Sequence, residues 1–181
     1  QGRVLAGAVC GSAAFINDVL LPFQRNTGPN LSPFSAWVVL KGLETLDLRG
    51  RRQSENALAV GKAIEGRVAR MLHPGLPSHP QHELAARQME ACGPIFAFEL
   101  PGGAAQAMAF LNALELVDIS NNIGDARSLC CHPWTTTHYG VSPDVRLDMG
   151  VGEGLLRINI GLEDPRDVIA DLDQALTRVG L

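Results

Sequence analysis

An arginine and an asparagine alternate with aliphatic residues near the C-terminal end of the chain. Arg157 and Asn159 occupy every second position, and the positions around them are Leu156, Ile158, Ile160 and Leu162. Successive side chains of a β-strand point to opposite faces, so this period of two predicts a short strand with an aliphatic face and a polar face. A guanidinium fixed on a strand offers a fork of donors that can bind a carboxylate through two parallel hydrogen bonds. An exposed arginine on the solvent side of an antiparallel sheet has the same pattern, and the alternation alone leaves both interpretations open.

A second polar segment precedes this strand. Asn122-Ile123-Gly124-Asp125 lies within residues 120–129, and the hydroxyl-rich run Thr136-Thr137-His138 follows it. Glycine and small polar residues predict a loop that presents backbone N–H groups, and the Asn122 amide can donate a hydrogen bond to a carboxylate oxygen. By composition alone, the segment is also typical of an ordinary connection between two elements.

The cysteines and histidines give weaker indications of a functional site than these two segments do. Cys10, Cys92, Cys130 and Cys131 lack the spacing of a secreted disulfide framework, which favours reduced thiols in a cytoplasmic protein. Cys130-Cys131-His132, with His138 nearby, raises the question of a metal site. Adjacent strand residues point to opposite faces and no Cys-x-x-Cys pair is present, so we expect no metal site.

Composition and charge restrict the classes of partner. The 181 residues are enough for one large domain or two small ones, and 46% of them are hydrophobic. Fifteen Lys+Arg against nineteen Asp+Glu give a net charge of −4, which provides no basic surface for nucleic acid or an anionic membrane. No apolar run reaches the length of a membrane span, so we expect neither a nucleic-acid partner nor a membrane anchor. Because the chain begins with Gln1 rather than Met, we also expect it to be a fragment of a longer protein.

The elements that must position these residues follow from the same patterns. Residues 4–9 are an apolar run between glycines, which predicts a buried strand, and Ser12 can cap a helix that Pro22 interrupts. Ser32-Pro33 predicts the start of a second helix, over residues 33–48. Because that helix is apolar on most sides, we expect it to be buried between layers or against a partner subunit.

Beyond residue 48, helix and strand patterns alternate. We predict helices over residues 53–71, 82–89 and 104–114, strands over 95–100 and 116–119, and irregular structure through the proline-rich residues 73–80. A final helix begins with Asp164 as N-cap and Pro165 in its first turn, and Gly180 ends it. Elements in this order predict an α/β fold in which helices pack on a mostly antiparallel sheet after about residue 48.

Several of these segments resemble one enzyme family. Residues 154–164 are similar to the "G-L-V-R-L-S-V-G-L-E-D" strand of the Cys/Met-metabolism family of pyridoxal-phosphate (PLP) enzymes. Residues 27–46 resemble that family's "P-F-d-A-W" to "R-G-L-k-T-L" helix, and residues 73–82 resemble its "y-P-G-L-x-s-h-P-q-h" loop. The opening Gly2-Arg3-Val4-Leu5 resembles the strand that follows the family's "S-x-T-K" segment. Because these motifs are long and occur in order, they are jointly specific.

The resemblance implies an architecture and a set of roles. Residues 1–47 would be the C-terminal end of a PLP-binding large domain of the aspartate-aminotransferase type, and residues 48–181 the C-terminal small domain. In the family, the strand arginine binds the α-carboxylate of the amino-acid substrate, which assigns that role to Arg157. Asn122 stands where most lyases have a serine that assists this arginine, and we expect Asn122 to assist here. Thr137 is expected to line the side of the site that faces the substrate γ-carbon.

The family also needs a lysine that forms a Schiff base with PLP. The chain has two lysines, Lys41 and Lys62, and both fall within predicted helices. Lys41 is better explained as a helix-surface charge near Glu44. The resemblance therefore places the Schiff-base lysine before Gln1, so we expect no catalytic residue in this chain and no activity from the chain alone. The residues that bind the cofactor stay unassigned.

The resemblance further implies a reaction class. Asn122-Ile123-Gly124-Asp125 resembles the homoserine-ester sulfhydrylases of the family, whereas most lyases carry "S-L-G" at this turn. This implies an enzyme of methionine biosynthesis in which sulfide replaces the ester group of O-succinylhomoserine, or of O-acetylhomoserine, to give homocysteine. A cytoplasmic homotetramer is expected. Activity like that of cystathionine γ-synthase or methionine γ-lyase remains an alternative, as does a non-catalytic domain that only assembles with a partner.

Overall fold

The computed structural model describes residues 3–181. Gln1 and Gly2, the second of which belongs to the opening motif, lie outside the described residues. The chain divides into two compact units, one that ends at Asp47 and one that spans Leu48–Leu181.

The unit that ends at Asp47 is helical where it has regular structure. Ser12 caps the first helical segment, because its Oγ accepts a hydrogen bond from the N–H of Phe15 at 3.2 Å. Ser32 caps another, because its Oγ accepts from the N–H of Ser35 at 3.1 Å, and this confirms the predicted helix start. The helical segments are a π-helix at Phe15–Leu20, helix α1 at Leu21–Thr27 and helix α2 at Pro33–Leu43.

Two predictions for residues 4–22 are wrong. Residues 4–10 form no regular structure, where we expected a buried strand. A strand satisfies its N–H and C=O groups by pairing with another strand, and residues 3–47 contain no strand that could pair with this segment. Pro22 does not interrupt the helix, because it lies in the first turn of α1, where a missing N–H removes no helical hydrogen bond.

Helix α2 ends earlier than predicted and exposes its apolar side chains. It stops at Leu43 rather than at residue 48, and none of its residues is buried. Phe34 is 72% exposed and Trp37 is 55% exposed. Of the two predicted environments, burial within this chain is not observed, and coverage by a partner surface stays a prediction.

The unit Leu48–Leu181 contains a sheet and the helices around it. Its strands are β1 at Arg70–Leu72, β2 at Ile95–Glu99, β3 at Asp118–Ile119, β4 at Leu129–Cys131 and β5 at Leu155–Asn159. Its helices are α3 at Leu46–Ile64, which begins just before the unit, α4 at His82–Gln88, α5 at Gly103–Ala113, α6 at Pro143–Asp148 and α7 at Pro165–Arg178. Helix α6 was not expected from the sequence.

The sheet has five strands in the order β1-β2-β5-β4-β3. Every neighbouring pair is antiparallel except β3 and β4, which confirms the predicted α/β fold with a mostly antiparallel sheet. The helix predicted over residues 53–71 is wrong at its C-terminal end, because α3 stops at Ile64 and Met71 lies in β1. Apolar residues at such a junction fit either period, and the pairing of Met71 with Phe98 decides for the strand.

The hydrophobic core lies on one face of this sheet. Leu156 and Ile158 contribute to it from β5, opposite Phe98 and Phe96 of β2. Helices α3, α5 and α7 cover this face with residues that include Val60, Phe110 and Leu172. Burial of each such side chain contributes about 1.5–3 kcal/mol, so a one-residue slip of β5 would be strongly unfavourable. The core therefore fixes the register that directs Arg157 and Asn159 to the opposite face.

Candidate functional site

Arg157 lies at the centre of β5, between Ala97 of β2 and Cys131 of β4. Its side chain is half-buried, and its Nη2 donates a hydrogen bond to the backbone carbonyl oxygen of Asn121 at 2.6 Å. No carboxylate among residues 3–181 forms an ion pair with it. A partly buried guanidinium stays charged and is costly to leave without a counter-charge, so Arg157 is a candidate binding group for an external carboxylate.

The face around Arg157 is not an open solvent face. Its neighbours Asn159 and Cys131 are each only 1% exposed. The predicted alternation of Arg157 and Asn159 with aliphatic residues is confirmed over the length of β5. Leu162 does not share the aliphatic face, because β5 ends at Asn159 and the period of two does not extend that far; Leu162 is exposed.

The loop of residues 120–128 lies against this polar face, and Asn122 belongs to it. The carbonyl oxygen of Asn121 accepts from Arg157, and the N–H of Gly124 donates to Asn159 Oδ1 at 2.9 Å. Asn122 therefore lies between two backbone groups that are bonded to polar side chains of β5. Its own N–H donates to Ser120 Oγ at 3.2 Å, and its side chain is exposed. The structure thus brings the segment of Asn122 to Arg157, while contact of its amide with a substrate stays a prediction.

The far end of the same loop is held by a polar network that the sequence did not indicate. Glu163 accepts from the N–H of Ser128 at 2.6 Å and from its hydroxyl at 2.9 Å. Gln53 of α3 donates to the carbonyl oxygen of Asp125 at 2.6 Å. These partners are far apart along the chain, and only the glutamate of the "G-L-E-D" motif offered a signal. The network fixes Asp125 and Ser128 to Gln53 and Glu163.

Thr137 lies in the turn that follows β4, and it is exposed. Its hydroxyl hydrogen-bonds with the ring Nδ1 of His138 at 2.9 Å, so the structure does not bring it into contact with Arg157. The turn itself is held by Arg146 of α6, which donates to the carbonyl oxygens of Val141 and Trp134 at 2.7 and 2.8 Å. The guanidinium of Arg146 also lies 4.2 Å from the centre of the Trp134 ring. The predicted role of Thr137 on the γ side stays a prediction.

The buried cysteines provide no reactive group. Cys130 pairs with Ile158 in the core, and Cys131 pairs with Arg157 on the polar face. Burial raises the pKa of both thiols, and the positive charge of Arg157 only partly opposes this. Both thiols are therefore protonated and poorly nucleophilic near pH 7. Among residues 3–181, no group of three or more His, Cys, Asp or Glu side chains could hold a metal ion.

Neither lysine is placed to hold a cofactor. Lys41 Nζ lies 2.7 Å from Glu44 Oε1 on the exposed surface of α2, as the helix pattern predicts. Lys62 lies on α3 and is also exposed. A lysine that forms a Schiff base lies in a cofactor site that is closed to solvent, whereas both of these lysines are exposed. Neither lysine therefore lies next to Arg157 in a buried site, and the position of a Schiff-base lysine stays a prediction.

Comparison with known proteins identifies the family. The family model described as "Cys/Met metabolism PLP-dependent enzyme" matches residues 1–177. The chain belongs to this family. PLP is accordingly the cofactor of the enzymes to which it is related.

Relatives with different activities resemble this chain. An O-succinylhomoserine sulfhydrylase of Mycobacterium tuberculosis is 46% identical over 98% of this chain and 45% of its own length. An O-succinylhomoserine sulfhydrylase of Pseudomonas aeruginosa is 43% identical over 97% of this chain and 44% of its own length. An L-methionine gamma-lyase of Treponema denticola is 39% identical over 99% of this chain and 45% of its own length. The chain therefore spans less than half the length of these relatives.

A solved structure also matches the fold. The cystathionine gamma synthase from Xanthomonas oryzae pv. oryzae, in complex with cystathionine, matches with a TM-score of 0.85 and 38% identity. The match covers 92% of this chain and 43% of that enzyme. Over the described part of the chain, no helix combines the length and the hydrophobicity that a membrane span requires.

Proposed function

We propose that this chain supplies the substrate-carboxylate side of a PLP-dependent enzyme that exchanges the ester group of O-succinylhomoserine for sulfide. In this reaction the Cγ–O bond of the ester breaks and a Cγ–S bond forms, so the products are homocysteine and succinate. Support comes from the relatives named O-succinylhomoserine sulfhydrylase and from the Asn122-Ile123-Gly124-Asp125 turn. The proposal concerns a longer protein that contains this chain.

The observation that carries the proposal is the burial and hydrogen bonding of Arg157. It is half-buried, no carboxylate among residues 3–181 is paired with it, and a hydrogen bond to a carbonyl oxygen orients it. A guanidinium has five N–H donors, so others remain for a bidentate contact. An α-amino-acid substrate carries the matching carboxylate, and we propose that Arg157 binds it throughout the reaction.

Two further residues complete the proposed substrate site. Asn122 would donate an amide hydrogen bond to the carboxylate that Arg157 binds, because its loop is bonded to Arg157. Thr137 would line the γ side, where the ester leaves and sulfide enters. Support for Thr137 comes only from the family resemblance and from its exposed hydroxyl.

PLP, when bound, supplies an electron sink that stabilises negative charge next to the substrate α-carbon. The residues proposed here bind the substrate, and Lys41 and Lys62 are exposed on helix surfaces. We propose that the Schiff-base lysine precedes Gln1 in the parent enzyme. Residues 1–47 would then be the end of its PLP-binding large domain, and residues 48–181 would be its C-terminal domain.

The assembly and location of the parent enzyme are part of the same proposal. We propose a cytoplasmic homotetramer, following the family resemblance. The exposed apolar residues of α2 support the presence of a covering surface in the parent enzyme.

Cystathionine γ-synthase activity and methionine γ-lyase activity are the alternatives within the family. They are favoured by the L-methionine gamma-lyase relative and by the matching cystathionine gamma synthase structure. The turn at Asn122-Ile123-Gly124-Asp125 favours the sulfhydrylase over both. A non-catalytic domain that only assembles with a partner is the alternative outside enzymes.

A product assay on the full-length protein tests these options. The protein is purified with PLP and supplied with O-succinylhomoserine or O-acetylhomoserine, together with sulfide or cysteine, and separately with methionine. We expect homocysteine from the succinyl ester and sulfide as the fastest reaction. Faster formation of cystathionine from cysteine, or of methanethiol from methionine, would favour an alternative. The 181-residue chain alone is the control and should show no turnover and no cofactor absorbance.

A further inference from the structure

Asn159 is buried next to Arg157, the candidate that binds a carboxylate. Only one of the two polar atoms of its side-chain amide forms a hydrogen bond with residues 3–181. Its side chain shares a face of β5 with Arg157, two residues away, and the residue is 1% exposed. Its Oδ1 accepts from the N–H of Gly124 at 2.9 Å. Its Nδ2 is buried and has no hydrogen-bond partner among residues 3–181. A buried donor without an acceptor is unfavourable, so the use of an amide at this position calls for a physical reason.

The hydrogen bond from Gly124 to Asn159 has a clear structural effect. Together with the bond from Arg157 to Asn121, it attaches the backbone on both sides of Asn122 and Ile123 to β5. Gly124 has φ +74°, a left-handed conformation that glycine adopts without strain, and this conformation lets its N–H meet Asn159. The position of Asn122 relative to Arg157 is thus set by the two polar residues of one strand.

The charge of the group that accepts from Gly124 also matters for Arg157. An aspartate at position 159 would accept the same hydrogen bond and would leave no unpartnered donor. Alternate residues of a strand lie about 7 Å apart, so its carboxylate would weaken the attraction of Arg157 for an external carboxylate. An amide provides the acceptor and leaves the positive charge for an external carboxylate. The unpartnered Nδ2 accompanies this use of an amide.

We propose that Asn159 is a positioning residue for the substrate carboxylate. Its oxygen fixes the loop that carries Asn122, and its lack of charge keeps Arg157 available as the counter-ion. The inference rests on the proposed function, because it assumes that Arg157 binds the substrate carboxylate.

The test compares Asn159→Asp with Asn159→Ala in the full-length enzyme loaded with PLP. An added charge about 7 Å from Arg157 should raise KM at least about tenfold, while kcat changes less than about threefold. The apparent Kd of an unreactive α-amino acid, read from the cofactor absorbance, should rise in parallel. The temperature of half-unfolding is measured for each variant, so that a loss of folding is distinguished from a loss of substrate binding. Asn112→Asp, the same chemical change on the exposed side of α5, is the matched control and should alter none of these values.

Each outcome decides the inference. Asn159→Ala removes the acceptor for Gly124 without adding charge, and we expect KM to rise about three- to tenfold with kcat nearly unchanged. If Asn159→Asp folds and KM is unchanged, the charge argument is wrong. If Asn159→Asp does not fold, Asn159→Ala decides, and an unchanged KM overturns the positioning role. Arg157→Ala is measured alongside: if it also leaves KM unchanged, the proposed function fails, whereas a raised KM for Arg157→Ala alone rejects only the role of Asn159.

Discussion

Arg157 differs from an ordinary strand arginine in its surroundings rather than in its spacing. The alternation of Arg157 and Asn159 with aliphatic residues was predictable from the sequence, because a period of two is set by strand geometry. The burial of the guanidinium and its hydrogen bond to Asn121 were not predictable. They depend on the loop of residues 120–128, whose contacts with β5 join parts of the chain that are distant in sequence. The structure therefore turns an ambiguous arginine into a specific binding hypothesis.

The first prediction at this scale concerns Gly161, which lies just after β5 and against residues 126 and 127 of the loop. A Cβ at position 161 would overlap the carbonyl oxygen of Ala126 and would lie 2.5 Å from the carbonyl carbon of Arg127. Because both are backbone atoms, the loop must shift, and Gly161→Ala should lower the free energy of unfolding by about 2 kcal/mol or more. Urea titration of the purified chain measures this value.

Gly66→Ala is the matched control for Gly161→Ala. No atom lies within 4 Å of a Cβ placed at Gly66, and its backbone is not left-handed. We expect its free energy of unfolding to stay within about 0.5 kcal/mol of the original. An equally small effect at Gly161 would show that the loop is not packed against β5 as described.

At the scale of elements, the sequence predicted the features that neighbouring residues determine, such as the starts of helices. Ser32-Pro33 and Asp164-Pro165 were sufficient to place helix starts, because capping and proline conformation act within one turn. The run at residues 4–9 failed as a strand, because pairing needs a partner that the sequence pattern does not specify. Met71 failed as a helical residue for a related reason, since pairing with Phe98 decided its state.

The buried carboxylate of Asp171 links α7 to residues 115–117, which follow α5. It also makes the free energy of unfolding depend on pH. Asp171 of α7 accepts hydrogen bonds from the N–H groups of Glu115, Leu116 and Val117 at 2.8, 3.0 and 2.9 Å. Burial opposes ionisation, but these bonds outweigh it and lower the pKa of Asp171. The unfolded chain therefore binds the proton more readily, and stability should be lost as the pH falls below about 4.

Asp171→Asn tests this linkage. Loss of the charged acceptor should lower the free energy of unfolding at pH 7 by about 1.5–3 kcal/mol and should flatten the decrease in acid. Urea unfolding measures both effects at a series of pH values between 7 and the lowest pH at which the protein is still folded. Asp167→Asn, an exposed carboxylate in the first turn of the same helix, should change stability by less than about 0.5 kcal/mol. An equal loss of stability for both variants would contradict the assignment.

At the scale of the whole molecule, the chain exposes apolar surface on α2. Phe34, Trp37, Leu40 and Leu43 on α2 are each more than half exposed. Their hydrophobicity was evident from the sequence, and the chain spans less than half the length of its relatives. The sequence predicted this helix and its burial between layers or against a partner subunit; burial within this chain is not observed, and coverage by a partner stays a prediction.

The 181-residue chain should consequently associate when it is produced alone. Light scattering on a size-exclusion column should give a mass above the 19.3 kDa of one chain, increasing with concentration. Replacing Trp37 and Leu40 by glutamate should reduce the association, because it breaks the apolar surface of α2. Replacing Lys62 and Glu65 by glutamine, both outside that surface, serves as the control. A monodisperse single chain at high concentration would contradict this account.

The most direct test of the central claim is the substitution of Arg157 in the full-length enzyme. A hydrogen-bonded ion pair with the substrate carboxylate should contribute about 2–3 kcal/mol, so Arg157→Ala should reduce kcat/KM for O-succinylhomoserine about 30- to 150-fold. Arg157→Lys, which keeps the charge but loses the bidentate geometry, should retain an intermediate value. PLP binding and the temperature of half-unfolding should remain close to those of the unsubstituted enzyme. If Arg157→Ala folds, binds PLP and keeps kcat/KM within about twofold of the original, Arg157 does not bind the substrate carboxylate.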